Sequence, residues 1–314
     1  MPQATWSASR DATLDVCERK YYYQYLISDA PELEELRREI RRLKQLKSLE
    51  MWQGECFHQA AADLVRKAKR RKGLGTDEIV SRVESGMRAT WTKEQAARAL
   101  PGELADRPLF FEHEYGLEFP SDALELSVAR VRVWLDRLAA WFANEGVEER
   151  IASAKRIWVE PSMFAEDAPG LRLKHVRLLA KVDLALVTPA DSFEIFDWKT
   201  GVPPASGIRE SNECQIRVYQ LWPHVQLHYP VERIRASLVY VAADPLVSND
   251  YGLDWNERDV ALRRIWQSIQ RGEYLERVAA AEGSTAADFD MANHPALCRQ
   301  CAFKRICQRG IHGS

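Results

Sequence analysis

The stretch FEIFDWKTG at residues 193–201 is the most informative part of the chain. Its apolar and aromatic run predicts a buried strand, and the Thr-Gly pair after it predicts a turn. Because side chains two positions apart in a strand share a face, we expect Asp197 and Lys199 to point the same way. The carboxylate would suit Mg²⁺ or Mn²⁺, and the ammonium would suit a water or a developing negative charge. A strand-end ion pair is the simpler explanation of an isolated Asp-x-Lys, so the motif needs partners.

Three other elements carry side chains that would complete such a centre. Asp183 interrupts the apolar run at 178–187, where an unpaired buried carboxylate would be costly. His58 lies in a helical pattern, and Gln215 and Tyr219 lie four residues apart on one face of another helix. Taken singly, each has an ordinary explanation: a turn cap or an ion pair with the lysine two residues earlier, a structural histidine, and a half-buried amphipathic helix.

Hydrophobic periodicity predicts helices in the first half of the chain and several strands in the second. The predicted helices are 33–49, a run around 57–65, 77–99, 122–143, 211–228 and 257–271, and the predicted strands are 156–164, 178–187, 193–198 and 234–242. This order favours an α/β core sheet with a large helical part.

No repeat, linker or low-complexity tract divides the sequence, so we expect one domain over 1–314. Its predicted parts are an N-terminal segment with the first cysteine (1–55), a helical region (56–150), the core sheet (151–245) and a C-terminal helix with a cysteine segment (246–314).

The composition excludes several classes of protein. The 44 Lys+Arg against 46 Asp+Glu give a net charge of −2, which argues against a uniformly basic nucleic-acid binder but not against local basic patches. With 46% hydrophobic residues, the chain can bury a sizeable core. No apolar run approaches the ~20 residues of a membrane span, and the N-terminal residues do not resemble a secretory signal. We therefore expect a cytoplasmic protein with no membrane partner.

The six cysteines divide by their spacing. Three form the pattern Cys-x2-Cys-x5-Cys near the end of the chain, and a fourth lies near its beginning. This four-cysteine set is Cys17, Cys298, Cys301 and Cys307. Four thiolates hold either zinc or an iron–sulfur cluster; spacing does not separate the two, and frequency alone favours zinc. Cys56 and Cys214 fit no such pattern and are expected to be ordinary buried thiols.

Taken in chain order, these elements resemble the RecB-like branch of the PD-(D/E)XK nuclease superfamily. That branch has Gly-x-x-x-His on a helix, Asp on one strand, Asp/Glu-x-Lys on the next strand and Gln-x-x-x-Tyr on the following helix. The matching residues are Gly54, His58, Asp183, Asp197, Lys199, Gln215 and Tyr219. The resemblance implies a restriction-endonuclease-like core, which is a mixed central β-sheet flanked by helices.

The resemblance also implies roles for these residues. His58, Asp183 and Asp197, with the main-chain carbonyl of Trp198, would coordinate the catalytic Mg²⁺ or Mn²⁺. Lys199 would position or activate the attacking water, and the Gln-Tyr pair would organise this lysine and the DNA strand.

The split cysteine pattern resembles that of iron–sulfur members of the branch, which include AddB-type recombination subunits and CRISPR-associated exonucleases. By this resemblance the four-cysteine set binds a [4Fe-4S] cluster that joins the two ends of the chain. Residues 70–150 carry no motif of the branch and make this chain longer than the compact CRISPR-associated members. No Gly-x4-Gly-Lys-Ser/Thr phosphate loop occurs, so ATP-driven unwinding is not expected.

The near-neutral charge conceals a basic run that begins shortly after His58. Its members are Arg66, Lys67, Lys69, Arg70, Arg71 and Lys72. They are the best candidates for contacts with DNA phosphates, with a solvated helix face as the ordinary alternative.

The motifs and this resemblance together predict a metal-dependent DNA exonuclease, and the resemblance implies that it acts on single-stranded ends. CRISPR adaptation, recombination or repair, and defence are the expected settings, with protein partners from those pathways. Two alternatives remain open: a catalytically silent DNA-binding or adaptor subunit with the same fold, and a zinc-stabilised variant.

Overall fold

The computed structural model describes residues 4–27, 34–99, 110–166, 176–204 and 210–307. The helices are α1 (Ala8–Val16), α2 (Glu18–Tyr21), α3 (Glu34–Leu43), α4 (Leu49–Lys69), α5 (Asp77–Ala99), α6 (Phe111–Glu114), α7 (Ala123–Asn144), α8 (Val147–Ser153), α9 (Glu210–Leu227), α10 (Trp255–Ala279) and α11 (Pro295–Arg299). The strands are β1 (Ala4–Ser7), β2 (Arg156–Val159), β3 (Ser162–Glu166), β4 (Val176–Lys181), β5 (Leu184–Val187), β6 (Phe193–Lys199), β7 (Ile234–Tyr240) and β8 (Val247–Gly252). Within these ranges, no helix is long and apolar enough to cross a membrane.

The larger sheet has five strands in the order β2-β5-β6-β7-β8. Strands β6 and β7 run parallel, and the other neighbours run antiparallel. Because parallel strands cannot be joined by a tight turn, the chain crosses from β6 to β7 through α9. The predicted α/β fold with a mixed central sheet flanked by helices is confirmed.

Helices cover both faces of this sheet. Successive side chains of β6 point to opposite faces, as the alternation of a strand requires. Ile195 belongs to an apolar cluster with Ile216 of α9 and Ile265 of α10. Trp198 belongs to the opposite cluster, with Phe57 of α4 and Phe142 of α7. Strand β6 is thus buried on both faces and paired on both edges, which explains its almost continuous apolar sequence.

The hairpin that precedes β6 bends sharply, and this corrects the strand predictions. The predicted strand 156–164 is divided into β2 and β3, and the predicted strand 178–187 into β4 and β5. Strands β3 and β4 leave the larger sheet and pair with β1 in the order β1-β4-β3. At the bend, Glu160 has a left-handed φ of 49°, and its N–H donates to the carbonyl of Asp183 over 2.9 Å. Asp183 therefore lies at a corner and not within a strand.

The leucine pattern at 33–49 does not form one helix, although the sequence predicts one. Helix α3 ends at Leu43, and α4 begins at Leu49. Between them, the hydroxyl of Ser48 accepts a hydrogen bond from the N–H of Met51 and caps α4. The first residue of the predicted helix, Leu33, lies outside the described residues.

Segments from the two ends of the described chain pack on each other. The ring of Tyr22 stacks on that of Phe289, with centroids 4.5 Å apart. The guanidinium of Arg19 donates to the carbonyl of Phe289 over 3.2 Å. Leu14 and Phe303 belong to the same apolar cluster. The single-domain organisation and its four predicted parts stay a prediction.

A pair of helical glycines tests the packing of α4 against the end of β6. Gly86 is exposed in the middle of α5, and a Cβ added there meets nothing within 4 Å. We expect Gly86→Ala to raise the free energy of unfolding by about 1 kcal/mol, the usual alanine advantage inside a helix. At Gly54 of α4, an added Cβ lies 3.3 Å from Oγ1 of Thr200, so Gly54→Ala should gain less or lose stability. Equal gains in urea unfolding would contradict this close approach.

Candidate active site

The carboxyl end of β6 places the two charged groups of the Asp-x-Lys motif side by side. Oδ2 of Asp197 lies 2.7 Å from Nζ of Lys199, and their side chains are 6% and 20% exposed. Burial raises the pKa of the Asp197 carboxyl above its ordinary value. The charge of Lys199 opposes this rise, and the charge of Asp183 adds to it. The site thus holds two carboxylates that repel each other and one ammonium that partly compensates them.

Asp183 occupies the position where β5 stops pairing with β6. The ladder ends at the pair Leu184–Phe196. Two residues further along β6, the N–H of Trp198 donates to Oδ2 of Asp183 over 2.7 Å. A side-chain oxygen here replaces a main-chain acceptor of the neighbouring strand, so this N–H is satisfied. The contact fixes the Asp183 carboxylate next to the Asp-x-Lys motif.

Helix α4 brings His58 to the same carboxylate. Nδ1 of His58 lies 2.9 Å from Oδ1 of Asp183. Burial lowers the pKa of His58, but the hydrogen bond and charge of Asp183 outweigh it, so the net pKa is raised. Gly54 lies one turn earlier on the same face, beside Thr200. The lack of a side chain there allows α4 to approach the turn after β6, which gives the Gly-x-x-x-His spacing a physical reason.

A chain of hydrogen bonds holds the ammonium of Lys199 from the side of α9. Nζ of Lys199 donates to Oε1 of Gln215 over 2.5 Å, and Nε2 of Gln215 donates to the hydroxyl of Tyr219 over 2.6 Å. The Tyr219 hydroxyl donates in turn to the main-chain carbonyl of Lys181 over 2.5 Å. Burial, with the charges of both aspartates, raises the pKa of Tyr219 well above its ordinary value, so the hydroxyl keeps its proton.

All these side chains line one open cavity of about 850 Å³. Its walls include His58, Asp183, Asp197, Lys199, Gln215 and Tyr219. The structure thus brings together every residue that the four motifs predict for the centre. Sequence reasoning missed Lys47, Glu160 and Lys181, which line the same cavity. The sequence could have indicated Lys181, because it lies only two positions before Asp183. Lys47 and Glu160 are distant from the motifs in sequence, and only the fold brings them to the active-site cavity.

The donor set suits a hard divalent cation. Two carboxylates, an imidazole and a nearby main-chain carbonyl are groups that bind Mg²⁺ or Mn²⁺. Oδ2 of Asp197 is buried without a well-aligned hydrogen bond, and its close neighbour is the Lys199 ammonium. Both oxygens of Asp183 already accept from donors, His58 and Trp198. Across the described ranges, no three His, Cys, Asp or Glu side chains are already arranged around one ion position.

A second cavity, of about 250 Å³, is lined by the whole four-cysteine set. Cys17 is the N-cap of α2, and its sulfur accepts from the N–H of Lys20 over 3.4 Å. Burial raises the pKa of Cys301, and Cys17 and Cys307 add to the rise, so these sulfurs are close enough to interact. The thiols at the two ends of the sequence therefore converge on one place.

The two remaining cysteines lie elsewhere. Cys56 is half-buried on α4, and Cys214 is buried on α9, with its sulfur 3.7 Å from Oδ2 of Asp11. Burial raises the pKa of Cys56 to about 11 and that of Cys214 to about 12. Neither thiol lines the cavity of the four-cysteine set.

The basic run 66–72 lies at the surface, and most of its members contact other residues of the protein. Four members have partners: Arg66 with Asp63, Lys67 with Gly75, Lys69 with Ala154 and Arg71 with Glu149. All six lie in the described part of the chain, and none lines the active-site cavity. Contact of this run with DNA stays a prediction.

A family model of the PD-(D/E)XK nuclease superfamily matches residues 5–308. The chain belongs to this superfamily. Among solved structures, it is similar to SSO0001, with 14% identity over 64% of this chain and 79% of that one, at a TM-score of 0.32. It is also similar to a candidate exonuclease from Eubacterium rectale, with 11% identity over 65% of this chain and 67% of that one, at a TM-score of 0.37. No curated protein matches.

Membership of the PD-(D/E)XK superfamily agrees with the geometry of the centre. Nucleases of this superfamily use divalent metals such as Mg²⁺ or Mn²⁺. The sequence predicts the motif that gives the superfamily its name at Asp183 and Asp197-Trp198-Lys199.

The buried hydroxyl of Tyr219 offers a stability test of the hydrogen-bond chain. Tyr219→Phe removes the donor to the Lys181 carbonyl and the acceptor of the Gln215 amide. Because buried polar groups then lack partners, we expect the free energy of unfolding to fall by about 1–3 kcal/mol. Tyr274→Phe, at a side chain that is 57% exposed, is the matched control and should change little. Equal unfolding midpoints in urea for both variants would contradict the chain of bonds.

Proposed function

We propose that this protein is a metal-dependent deoxyribonuclease of the RecB-like branch, an exonuclease that degrades single-stranded DNA from an end. The observation that carries the proposal is the convergence of His58, Asp183, Asp197 and Lys199 on one cavity. These residues come from a helix, the corner of a hairpin and the end of the central strand. A structural ion pair would not need an imidazole, two carboxylates and an ammonium around one open space.

His58, Asp183 and Asp197, together with the carbonyl of Trp198, would hold the Mg²⁺ or Mn²⁺ ion. When bound, such an ion polarises the phosphate and lowers the pKa of a coordinated water. The chain's own contribution begins with Asp183, which the Trp198 N–H and His58 orient. Asp197 adds a buried negative charge that favours a cation at this point of the sheet.

Lys199 would position the attacking water and stabilise negative charge that develops on the phosphate. Its ammonium is held between Oδ2 of Asp197 and Oε1 of Gln215, so it needs little reorganisation during the reaction. Gln215 and Tyr219 are positioning residues in this proposal, because they connect the ammonium to the main chain of β4.

The four-cysteine set would bind a [4Fe-4S] cluster with a mainly structural role. Support comes from the convergence of four thiols on a cavity of about 250 Å³ where the two ends of the described chain already pack together. A cluster there would reinforce the contacts that Arg19 and Tyr22 make with Phe289. The processing of DNA ends in CRISPR adaptation, recombination or repair, or defence is the setting that such an enzyme would serve, with partners from those pathways.

Removal of the Lys199 ammonium tests the mechanism. We expect Lys199→Ala to lower the cleavage rate of end-labelled single-stranded DNA by about 100-fold or more, as loss of a preorganised charge does. Lys155→Ala is the matched control, since Lys155 is about half exposed and pairs with Asp191 away from the cavity. Unchanged cleavage by Lys199→Ala would contradict the assigned role.

Circular single strands and EDTA complete this experiment. An exonuclease leaves the circle intact and degrades the linear strand only when Mg²⁺ or Mn²⁺ is present. Degradation of the circle would contradict exonuclease specificity. Absence of cleavage by the wild-type protein with either metal would favour the catalytically silent adaptor.

Elemental analysis tests the cluster. We expect anaerobically purified wild-type protein to contain iron and acid-labile sulfide, and Cys301→Ser to lose most of both, because a tetrahedral site lacks one thiolate ligand. Cys56→Ser should retain them, because Cys56 lies outside the cysteine cavity. A colourless wild-type protein that contains zinc without iron would overturn the cluster and support the zinc-stabilised alternative.

A further inference from the structure

A second large cavity adjoins the active-site cavity. It has a volume of about 870 Å³ and lies between α1 and α2, the connection from α3 to α4, and the segment from α6 to α7. Ser9 lines both cavities. At the start of α4, Lys47 lines the active-site cavity and the next residue, Ser48, lines the second one. A linear polymer that extends from the catalytic centre past Ser9 and Lys47 therefore enters the second cavity.

Three cations line this second cavity: Lys20, Lys44 and Arg130. Within the described ranges, no carboxylate forms an ion pair with any of them, whereas Arg132, two residues after Arg130, pairs with Asp77. Burial and, to a smaller extent, the neighbouring Arg41 lower the pKa of Lys44.

Arg130 is held in place by a buried amide. Its Nη1 donates to Oε1 of Gln53 over 2.9 Å, and Nε2 of Gln53 donates to the hydroxyl of Ser127 over 2.7 Å. Gln53 is only 2% exposed and Ser127 is fully buried, so this support is rigid. Among the described residues, the other N–H groups of the guanidinium have no hydrogen-bond partner, so they can bind an anion in a fixed orientation.

Two acids, Glu50 and Glu112, line the same cavity, so its three cations leave a net positive charge. Oε1 of Glu112 accepts the N–H of Leu49 at the start of α4, its Oε2 is buried without a hydrogen-bond partner among the described residues, and Glu50 is exposed on the first turn of that helix. Aromatic rings complete the walls. They belong to Tyr25, Phe111 and Phe119. Unpaired cations beside aromatic rings are the combination that binds the phosphates and the unpaired bases of a single nucleic-acid strand.

We propose that this cavity binds the part of a single DNA strand next to the nucleotide in the catalytic centre, with a phosphate on Arg130 and another on Lys44. This inference rests on the proposed function, because it takes DNA as the substrate. It assigns strand binding to α7 and to the connection between α3 and α4, where the sequence offers no motif, and it leaves contact of the basic run 66–72 with DNA as a separate prediction. Bases must be unpaired to reach Phe111 and Tyr25, so the site selects single strands over duplex.

The test measures binding without catalysis. Fluorescence anisotropy of a labelled oligothymidylate is recorded in EDTA over a series of salt concentrations for the full-length protein. Each phosphate contact with a single strand contributes about 0.7 to the slope of log K against log salt. We expect Arg130→Gln and Lys44→Gln each to reduce this slope by about 0.7 and to weaken binding at low salt. Arg132→Gln, which makes the same charge change on the same helix, should bind like the wild type.

The outcomes separate this inference from the proposed function. If neither Arg130→Gln nor Lys44→Gln differs from Arg132→Gln while the wild type cleaves DNA, the strand site is wrong and the nuclease proposal stands. If both variants reduce the slope of log K against log salt but the wild type does not cleave DNA, the strand site stands and the nuclease proposal fails. Equal weakening with a duplex of the same length would overturn the assignment to single strands. Unfolding midpoints of the variants, compared with the wild type, exclude misfolding as the cause.

Discussion

The carboxylate of Asp183 connects three parts of the molecule that are far apart in sequence. One oxygen accepts the main-chain N–H of Trp198 on the central strand, and the other contacts His58 on α4. The carbonyl of the same residue accepts the N–H of Glu160 and holds the bend of the hairpin. The end of the sheet, the corner of the hairpin and the helix therefore take their relative positions from one residue. Both carboxylate oxygens of Asp183 have hydrogen-bond partners within the protein, and these bonds hold the corner of the hairpin in place.

The two carboxylates at this centre disfavour each other's charge. Burial of Asp197 beside Asp183 disfavours its ionised form, and one ammonium compensates only in part. In the proposed enzyme, a divalent cation would attract both carboxylates, so their mutual repulsion would favour its binding. The hydrogen-bond chain through Gln215 and Tyr219 directs the Lys199 ammonium without adding a further charge.

Much of the fold and the centre could be predicted from the sequence, for physical reasons that differ by element. Strand β6 was predictable because burial on both faces gives it an almost continuous apolar sequence. Helix α9 was predictable because its apolar residues recur with helical spacing. Strand β8, with the sequence VSNDYG, has no apolar alternation and escaped prediction. The bends at Glu160 and Asp183 escaped as well, since a left-handed φ at a glutamate has no sequence signal. The cavity beside Arg130 could not be predicted, because it depends on how α7 packs against the start of α4.

The contact between the two ends of the described chain has a consequence for the order in which the protein is made. Arg19 and Phe289, which bond to each other, are separated by 270 residues. Chains fold from the N-terminus as they are synthesised, so α1 and α2 emerge long before the segment that covers them. The last strand of the central sheet, β8, is synthesised before Phe289 and Phe303. The sheet can therefore form before Tyr22 and Tyr23 contact these two rings. The cysteine cavity cannot close before residues up to Cys307 have been synthesised, because three of the four thiols that line it come from residues 298–307.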